Sequence, residues 1–236
     1  MYLTVLGCCG PYPRGGEATS GYLITSDSGK TRIAIDLGSG VLSRLNEKIR
    51  VENELDALIL THLHFDHAAD VPVLGYQLDF TSRESLKVIC PDTPEEIRNL
   101  YKGKLDLYPA KDTRIGEFRI EFIKVRHPVE TYAVKVYGDD ACFVYTGDTN
   151  VCTEINLFAD GCDLLLADCG HSNRDWNDKK PHMSPETCAQ LAKDCRAGQL
   201  VLTHFSPLYD REELVDDARR IFPDTIPAEA GMRIRI

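Results

Sequence analysis

The stretch Thr61-His62-Leu63-His64-Phe65-Asp66-His67 puts three histidines and an aspartate directly after a continuous apolar run, Asp56 to Leu60. A run of that length and composition reads as a buried strand. His62 and His64 are two apart, so on extended backbone they point to the same side, while Asp66 and His67 enter a following helix that the pattern starts near Ala68. With 7 His and 22 Asp in 236 residues, chance yields an H-x-H-x-D-H string on the order of once in two thousand such chains. Accumulation of polar residues in a loop does not explain it. Imidazole and carboxylate donors without thiolate suit Zn²⁺, with Mn²⁺ or Fe next, and four donors so placed can serve two adjacent ions.

Outward from this stretch lie His127, His171, His182 and His204, several of them just after a strand-like run. Loops at the carboxyl ends of strands are where sheet folds build sites, because the sheet holds the backbone while side chains stay free to converge. His171, between Gly170 and Ser172 in a polar loop, reads as solvated. Upstream, Tyr2 to Gly7, Gly21 to Ser26 and Thr31 to Asp36 are glycine-bounded runs rich in Ile, Val, Leu and Thr, a β-meander. Val41, Leu42, Leu45 and Ile49 share one face of a short helix. Downstream, Lys87 to Cys90, Phe118 to Val125, Tyr132 to Tyr137, Ala141 to Tyr145 and Asp163 to Ala167 predict strands, with a short helix over Thr93 to Tyr101.

Ser184 to Ala197 predicts a helix with Ser184 as N-cap, Pro185 at its first position and Gly198 just past its end. Its stripe of Cys188, Leu191, Ala192 and Cys195 reads as core. The strand Gln199 to Thr203 leads into His204, and a polar helix follows over Arg211 to Ile221. Strands in two batches, each with helices appended, predict an α/β (α+β) sandwich of sheets flanked by helices. No linker, repeat or charge block marks a boundary, so residues 1–236 are expected to form one domain.

Composition narrows the function. Lys+Arg number 27 against Asp+Glu 37, and the resulting net charge of −10 repels phosphate backbones, so long nucleic acid is not an expected partner. Nine cysteines with no C-x-x-C pair fit neither a disulfide framework nor a cysteine zinc site, which points to a reducing, cytoplasmic home. Tyr2 to Leu6 reads as a strand rather than a basic leader, and no run approaches ~18 apolar residues, so neither secretion nor a membrane partner is expected.

Taken together, Thr61 to His67, Leu6-Gly7, Thr19-Ser20-Gly21-Tyr22, Val125-Arg126-His127-Pro128, Tyr145-Thr146-Gly147-Asp148-Thr149, His182-Met183-Ser184 and Leu202-Thr203-His204-Phe205-Ser206-Pro207 resemble the metallo-β-lactamase fold superfamily. They follow the order of its ribonuclease Z and small phosphodiesterase branch. The resemblance covers essentially the whole chain. It implies a four-layer αββα sandwich with a two-zinc site at one edge, His62, His64 and His127 on one ion, Asp66, His67 and His204 on the other, and Asp148 bridging. It also implies catalytic roles for Asp66, for His182 as general acid and for Asp168 as its orienting partner, and homodimers are common in that branch.

Two departures shape the expected substrate. The long arm that grips tRNA in ribonuclease Z would lie between His127 and Asp148, where only twenty residues stand, all needed for two strands. Leu208 occupies the place of an arginine in the branch. The expectation is therefore a phosphodiesterase acting on cyclic nucleotides or short RNA or oligonucleotide ends. An acyl hydrolase (lactonase, thioesterase or lactamase) on the same metals is the alternative, ahead of a tRNA 3′ endonuclease or a non-catalytic metal-binding scaffold.

Overall fold

The glycine-bounded apolar runs near the start of the chain pair as an antiparallel meander in the computed structural model, which describes residues 1–236. Strand β1 (Tyr2–Gly7) pairs with β2 (Gly21–Thr25), and β2 with β3 (Arg32–Leu37) across the Asp27-Ser28-Gly29 turn. Beyond β3 the chain crosses over repeatedly, so β4 (Ala57–Ile59), β5 (Leu86–Cys90) and β6 (Leu105–Pro109) add in parallel. The crossovers carry α1 (Val41–Lys48), α2 (Val51–Glu54), α3 (Phe65–Ala68), α4 (Val71–Asp79) and α5 (Glu95–Arg98).

The second sheet reuses this plan. Strands β7 (Thr113–Ile115), β8 (Phe118–Lys124), β9 (Tyr132–Gly138) and β10 (Ala141–Tyr145) form an antiparallel meander. β11 (Leu164–Asp168), β12 (Gln199–Thr203) and β13 (Thr225–Pro227) extend it in parallel. Here the crossovers are α6 (Thr153–Phe158), α7 (Pro185–Asp194) and α8 (Arg211–Arg219). The last strand, β14 (Arg233–Arg235), returns to pair with β1, so each sheet has seven strands.

Alternation along the strands divides the core. Ile33 and Ile35 of β3 join a cluster of 45 buried residues with Tyr22, Phe118, Val134, Val136, Phe143 and Tyr145, which fills the space between the sheets and continues to α7 and α8. Ala34 points the other way, into a second cluster of 23 with Leu23, Leu58 and Val88 from the sheet and Val41, Leu45, Leu74 and Leu78 from α1 and α4. Each fully buried Leu or Ile contributes about 1.5–3 kcal/mol relative to exposure, which is ample drive for stacking four layers, helix, sheet, sheet, helix. This is the αββα architecture expected from the sequence.

Local differences have local causes. Helix α7 starts as predicted: the Thr187 N–H donates to Ser184 Oγ at 3.4 Å, and the Ser184 N–H donates to Thr187 Oγ1 at 2.8 Å. It stops at Asp194 rather than Ala197, because Arg196 turns to φ +55°. The region Thr93 to Tyr101 is α-helical only over Glu95–Arg98. Strands β6 and β7 and helices α2 and α6 were not anticipated. β6 is an edge strand ending in Pro109, with a mostly exposed face and no clean alternation to read. The cysteine stripe of α7 is buried as expected, and all nine cysteines are free thiols.

Candidate metal centre

Residues after the carboxyl ends of β4, β8, β10 and β12 converge at one edge of the sandwich and bring all seven expected donors together. One cluster is His62, His64, His127 and Asp148; a second is Asp66, His67, Asp148 and His204. Asp148 belongs to both. His64 Nδ1 lies 3.1 Å from His62 Nε2 and 3.3 Å from His127 Nε2. In the second cluster His204 Nε2 stands 3.1 Å from Asp66 Oδ2 and 3.3 Å from Asp148 Oδ2, and His67 Nε2 stands 3.2 Å from Asp148 Oδ1. Ligand atoms at ~2.0–2.1 Å from a tetrahedral ion are themselves about 3.3–3.4 Å apart, so the donors already have the spacing of a coordination shell.

The buried polar atoms make the same case. His67 Nε2 and Asp148 Oδ1 are both buried and neither has a hydrogen-bond partner. An orphaned donor or acceptor in the interior costs ~1–3 kcal/mol, and a cation between these two atoms removes that cost. The residues present therefore fit a metal ion.

Helix α3 begins at Phe65, three residues earlier than the sequence pattern placed it, so Asp66 and His67 lie in its single turn. His64 is its extended N-cap, which lets the donors on either side of Phe65 leave the backbone in different directions. His204 has φ +58°, a left-handed conformation that costs a non-glycine residue on the order of 1–2 kcal/mol. The backbone at Gly10 lies flat against its ring: a Cβ there would stand 2.0 Å from His204 Nε2, so only glycine fits.

Two of the imidazoles are also held from behind. His67 Nδ1–H donates to Asp36 Oδ2 at 2.7 Å, and Asp36 in turn accepts from the Thr61 N–H at 2.8 Å and the Thr61 hydroxyl at 2.9 Å. His62 Nδ1–H donates to Thr61 Oγ1 at 3.1 Å, which leaves Nε2 as the free lone pair facing the cluster. Asp36 was not among the expected site residues. Its one sequence signal is an aspartate inside the apolar run Arg32–Leu37, and the structure shows it fully buried at φ +59°.

His182 and Asp168 meet at the same edge. Asp168 Oδ2 accepts from His182 Nδ1–H at 2.9 Å and from the Thr149 N–H at 3.0 Å, while its Oδ1 lies 3.3 Å from His204 Nδ1. His171, expected in solvent, is half-buried, with its ring 5.5 Å from that of His182 at 67° and its N–H donating to Met183 O at 3.2 Å. The 171–182 loop folds back through this contact, a closure invisible in local sequence.

The family described as the β-lactamase superfamily domain matches residues 31–205. The chain belongs to the metallo-β-lactamase superfamily. It is similar to the probable metallo-hydrolase YhfI of Bacillus subtilis, 32% identical over 94% of both chains, whose crystal structure superposes with a TM-score of 0.92 over 99% of both. It is 24% identical to ribonuclease Z of Methanopyrus kandleri over 100% of this chain and 98% of that one. The crystal structure of the short form of human tRNase Z shares the fold, with a TM-score of 0.80 and 20% identity over 100% of this chain and 99% of that one. Like these, the chain is a metallo-hydrolase of the β-lactamase fold, with a His/Asp cluster suited to a metal ion.

In this metallo-hydrolase the electrostatics follow from burial and from four carboxylates, Asp36, Asp66, Asp148 and Asp168. Burial holds His62 well below the ordinary histidine value, and charge on His67 pushes the same way. Burial opposes charge on His67 and His204 too, yet the surrounding carboxylates, Asp148 foremost, raise both well above it. Positive charge is thus drawn to the second cluster, where a metal ion meets the same field. His182 is likewise raised, Asp168 outweighing its burial. No helix of the chain is long and apolar enough to cross a membrane.

Proposed function

We propose that this chain is a phosphodiesterase with a dinuclear metal site, acting on cyclic nucleotides or short RNA or oligonucleotide ends. The observation that carries the reading is the pairing of two donor clusters through one shared carboxylate, Asp148, with a His182–Asp168 pair beside them. His62, His64 and His127 would hold one ion and Asp66, His67 and His204 another, with Asp148 common to both donor sets; Zn²⁺ first, with Mn²⁺ or Fe as alternatives, would supply Lewis acidity toward phosphoryl oxygens and would acidify water at neutral pH.

The chain's own residues do the rest. Asp66 is the least enclosed donor of its cluster, with 9% of its side chain exposed, and its carboxylate takes the proton of the attacking water. Asp168 fixes the His182 ring through Nδ1, so Nε2 is the atom that gives a proton to the leaving oxygen. Asp168 also lies against His204 Nδ1, which ties the acid to the donor set in one rigid unit. The connection from His127 to Asp148 is spent on β9 and β10, leaving no arm for tRNA.

The test is a substrate screen of metal-loaded protein against 2′,3′- and 3′,5′-cyclic nucleotides, short RNAs, precursor tRNA, lactones and thioesters. Cleavage of the small diesters with poor processing of precursor tRNA is the expected result. Turnover confined to lactones or thioesters establishes the acyl-hydrolase alternative, and accurate 3′ cleavage of precursor tRNA returns the chain to the ribonuclease Z activity.

A further inference from the structure

Among the donors, His64 and His127 are half-buried and Asp66 keeps 9% of its side chain exposed, whereas His62, His67, Asp148 and His204 are fully enclosed, so the site opens to solvent on the side of the first three. Phe65 stands between His64 and Asp66, one member of each cluster, and is 63% exposed. Consecutive Cα atoms are about 3.8 Å apart, so the Phe65 backbone lies that close to one donor of each cluster. Ten large apolar side chains are exposed in the whole chain. Three of them, Phe65, Val151 and Leu208, lie within four residues of a donor. A fourth, Tyr12, is two residues from Gly10, whose backbone lies against the His204 ring. Arg14 donates to the carbonyls of Pro207 and Tyr209 at 3.3 and 2.7 Å, which clasps the Tyr12 segment to the loop bearing Leu208.

We infer that Phe65 is a specificity-determining platform on which the nucleobase of the substrate stacks while its phosphodiester sits at the metal clusters; this rests on the phosphodiesterase reading above. A polar donor cluster recognises phosphate in any diester and cannot by itself favour a nucleoside. A flat apolar surface at its mouth can, because every base has a π-face and stacking tolerates base identity. A lone exposed phenylalanine needs no explanation, but one inserted between two donors meets whatever enters the site.

The experiment compares kcat/KM for adenosine 2′,3′-cyclic phosphate with that for the 2′,3′-cyclic phosphate of methyl riboside, which has the same ring diester and no base. Wild type should prefer the adenosine compound, Phe65→Ala should shrink that ratio by roughly 5- to 100-fold, the usual scale of base–aromatic stacking, and Phe65→Trp should keep it. Any disturbance of the neighbouring donors affects both substrates and cancels in the ratio. Isothermal titration with adenosine 5′-phosphate and ribose 5-phosphate reads the same preference without turnover, and folding is checked by circular dichroism. Equal kcat/KM values in wild type, or a ratio unmoved by Phe65→Ala, overturn the platform while leaving the phosphodiesterase reading intact. Hydrolysis of neither diester by metal-loaded wild type brings down that reading and the platform with it.

Discussion

His67 Nδ1 donates to Asp36 Oδ2 at 2.7 Å, and both side chains are fully buried, so a donor of the second cluster, in helix α3, is oriented by a residue thirty-one positions upstream in strand β3. The bond fixes the tautomer that leaves Nε2 free, and the Thr61 N–H and hydroxyl keep the carboxylate from turning. Asp36→Ala should therefore weaken metal binding about 10- to 100-fold, measured by competition with a chelator of known affinity. Unchanged affinity in a folded variant removes the orienting role.

Metal-loaded protein should carry two ions per chain by elemental analysis, since Asp148 belongs to both donor clusters. Asp148→Ala should lose the most metal of any single substitution, because it takes a donor from each cluster and the charge that lets two cations sit together. Chelation should also lower the melting temperature, as ions that bind only the folded chain stabilise it by roughly 2.7 kcal/mol per site at a free concentration a hundred times Kd. One ion per chain, or a melting temperature indifferent to chelator, contradicts the shared-carboxylate arrangement.

His182→Ala should separate two leaving groups. A ribonucleotide diester expels an alkoxide and should lose roughly 10²- to 10⁴-fold in rate, whereas bis(p-nitrophenyl) phosphate needs little proton donation and should lose far less. Metal content is verified equal in both proteins. Equal losses on the two substrates assign His182 to binding or folding instead.

Two tyrosines in edge contact in the core make a stability test. Tyr22 and Tyr145 meet edge to face at 4.9 Å, and both are fully buried. The Tyr22 hydroxyl is paired with Thr203 Oγ1 at 2.6 Å, while the Tyr145 hydroxyl has no hydrogen-bond partner. Tyr22→Phe should destabilise by about 0.5–1.5 kcal/mol and Tyr145→Phe should be neutral or stabilising, read from thermal or urea unfolding of the metal-free proteins. A larger loss in Tyr145→Phe than in Tyr22→Phe contradicts this account.

The donor set was legible in the sequence because its chemistry is local: His62, His64, Asp66 and His67 lie within six residues, and His127, Asp148 and His204 each stand just past an apolar strand. The apolar runs were equally local, and they yielded most of the strands. Ser184 and Pro185 marked where α7 starts, but its end at Asp194, short of the Gly198 signal, depended on a left-handed Arg196 whose side chain carries no such signal.

Chain-distant partnerships were decided only by the tertiary structure. An aspartate in an apolar strand becomes the support of His67 once β3 and β4 pair side by side in parallel and bring Asp36 against Thr61. Asp168 reaches both His182 and His204 because β11 and β12 are neighbours. Gly10 must be glycine because a ring 194 positions away lies against it, and the exposed Phe65 is flanked by two of the three donors left partly open to solvent. The physical reason is common to all four. Hydrophobic patterning and donor chemistry are properties of neighbouring residues, whereas support, enclosure and exposure are set by which strands the sheets place side by side.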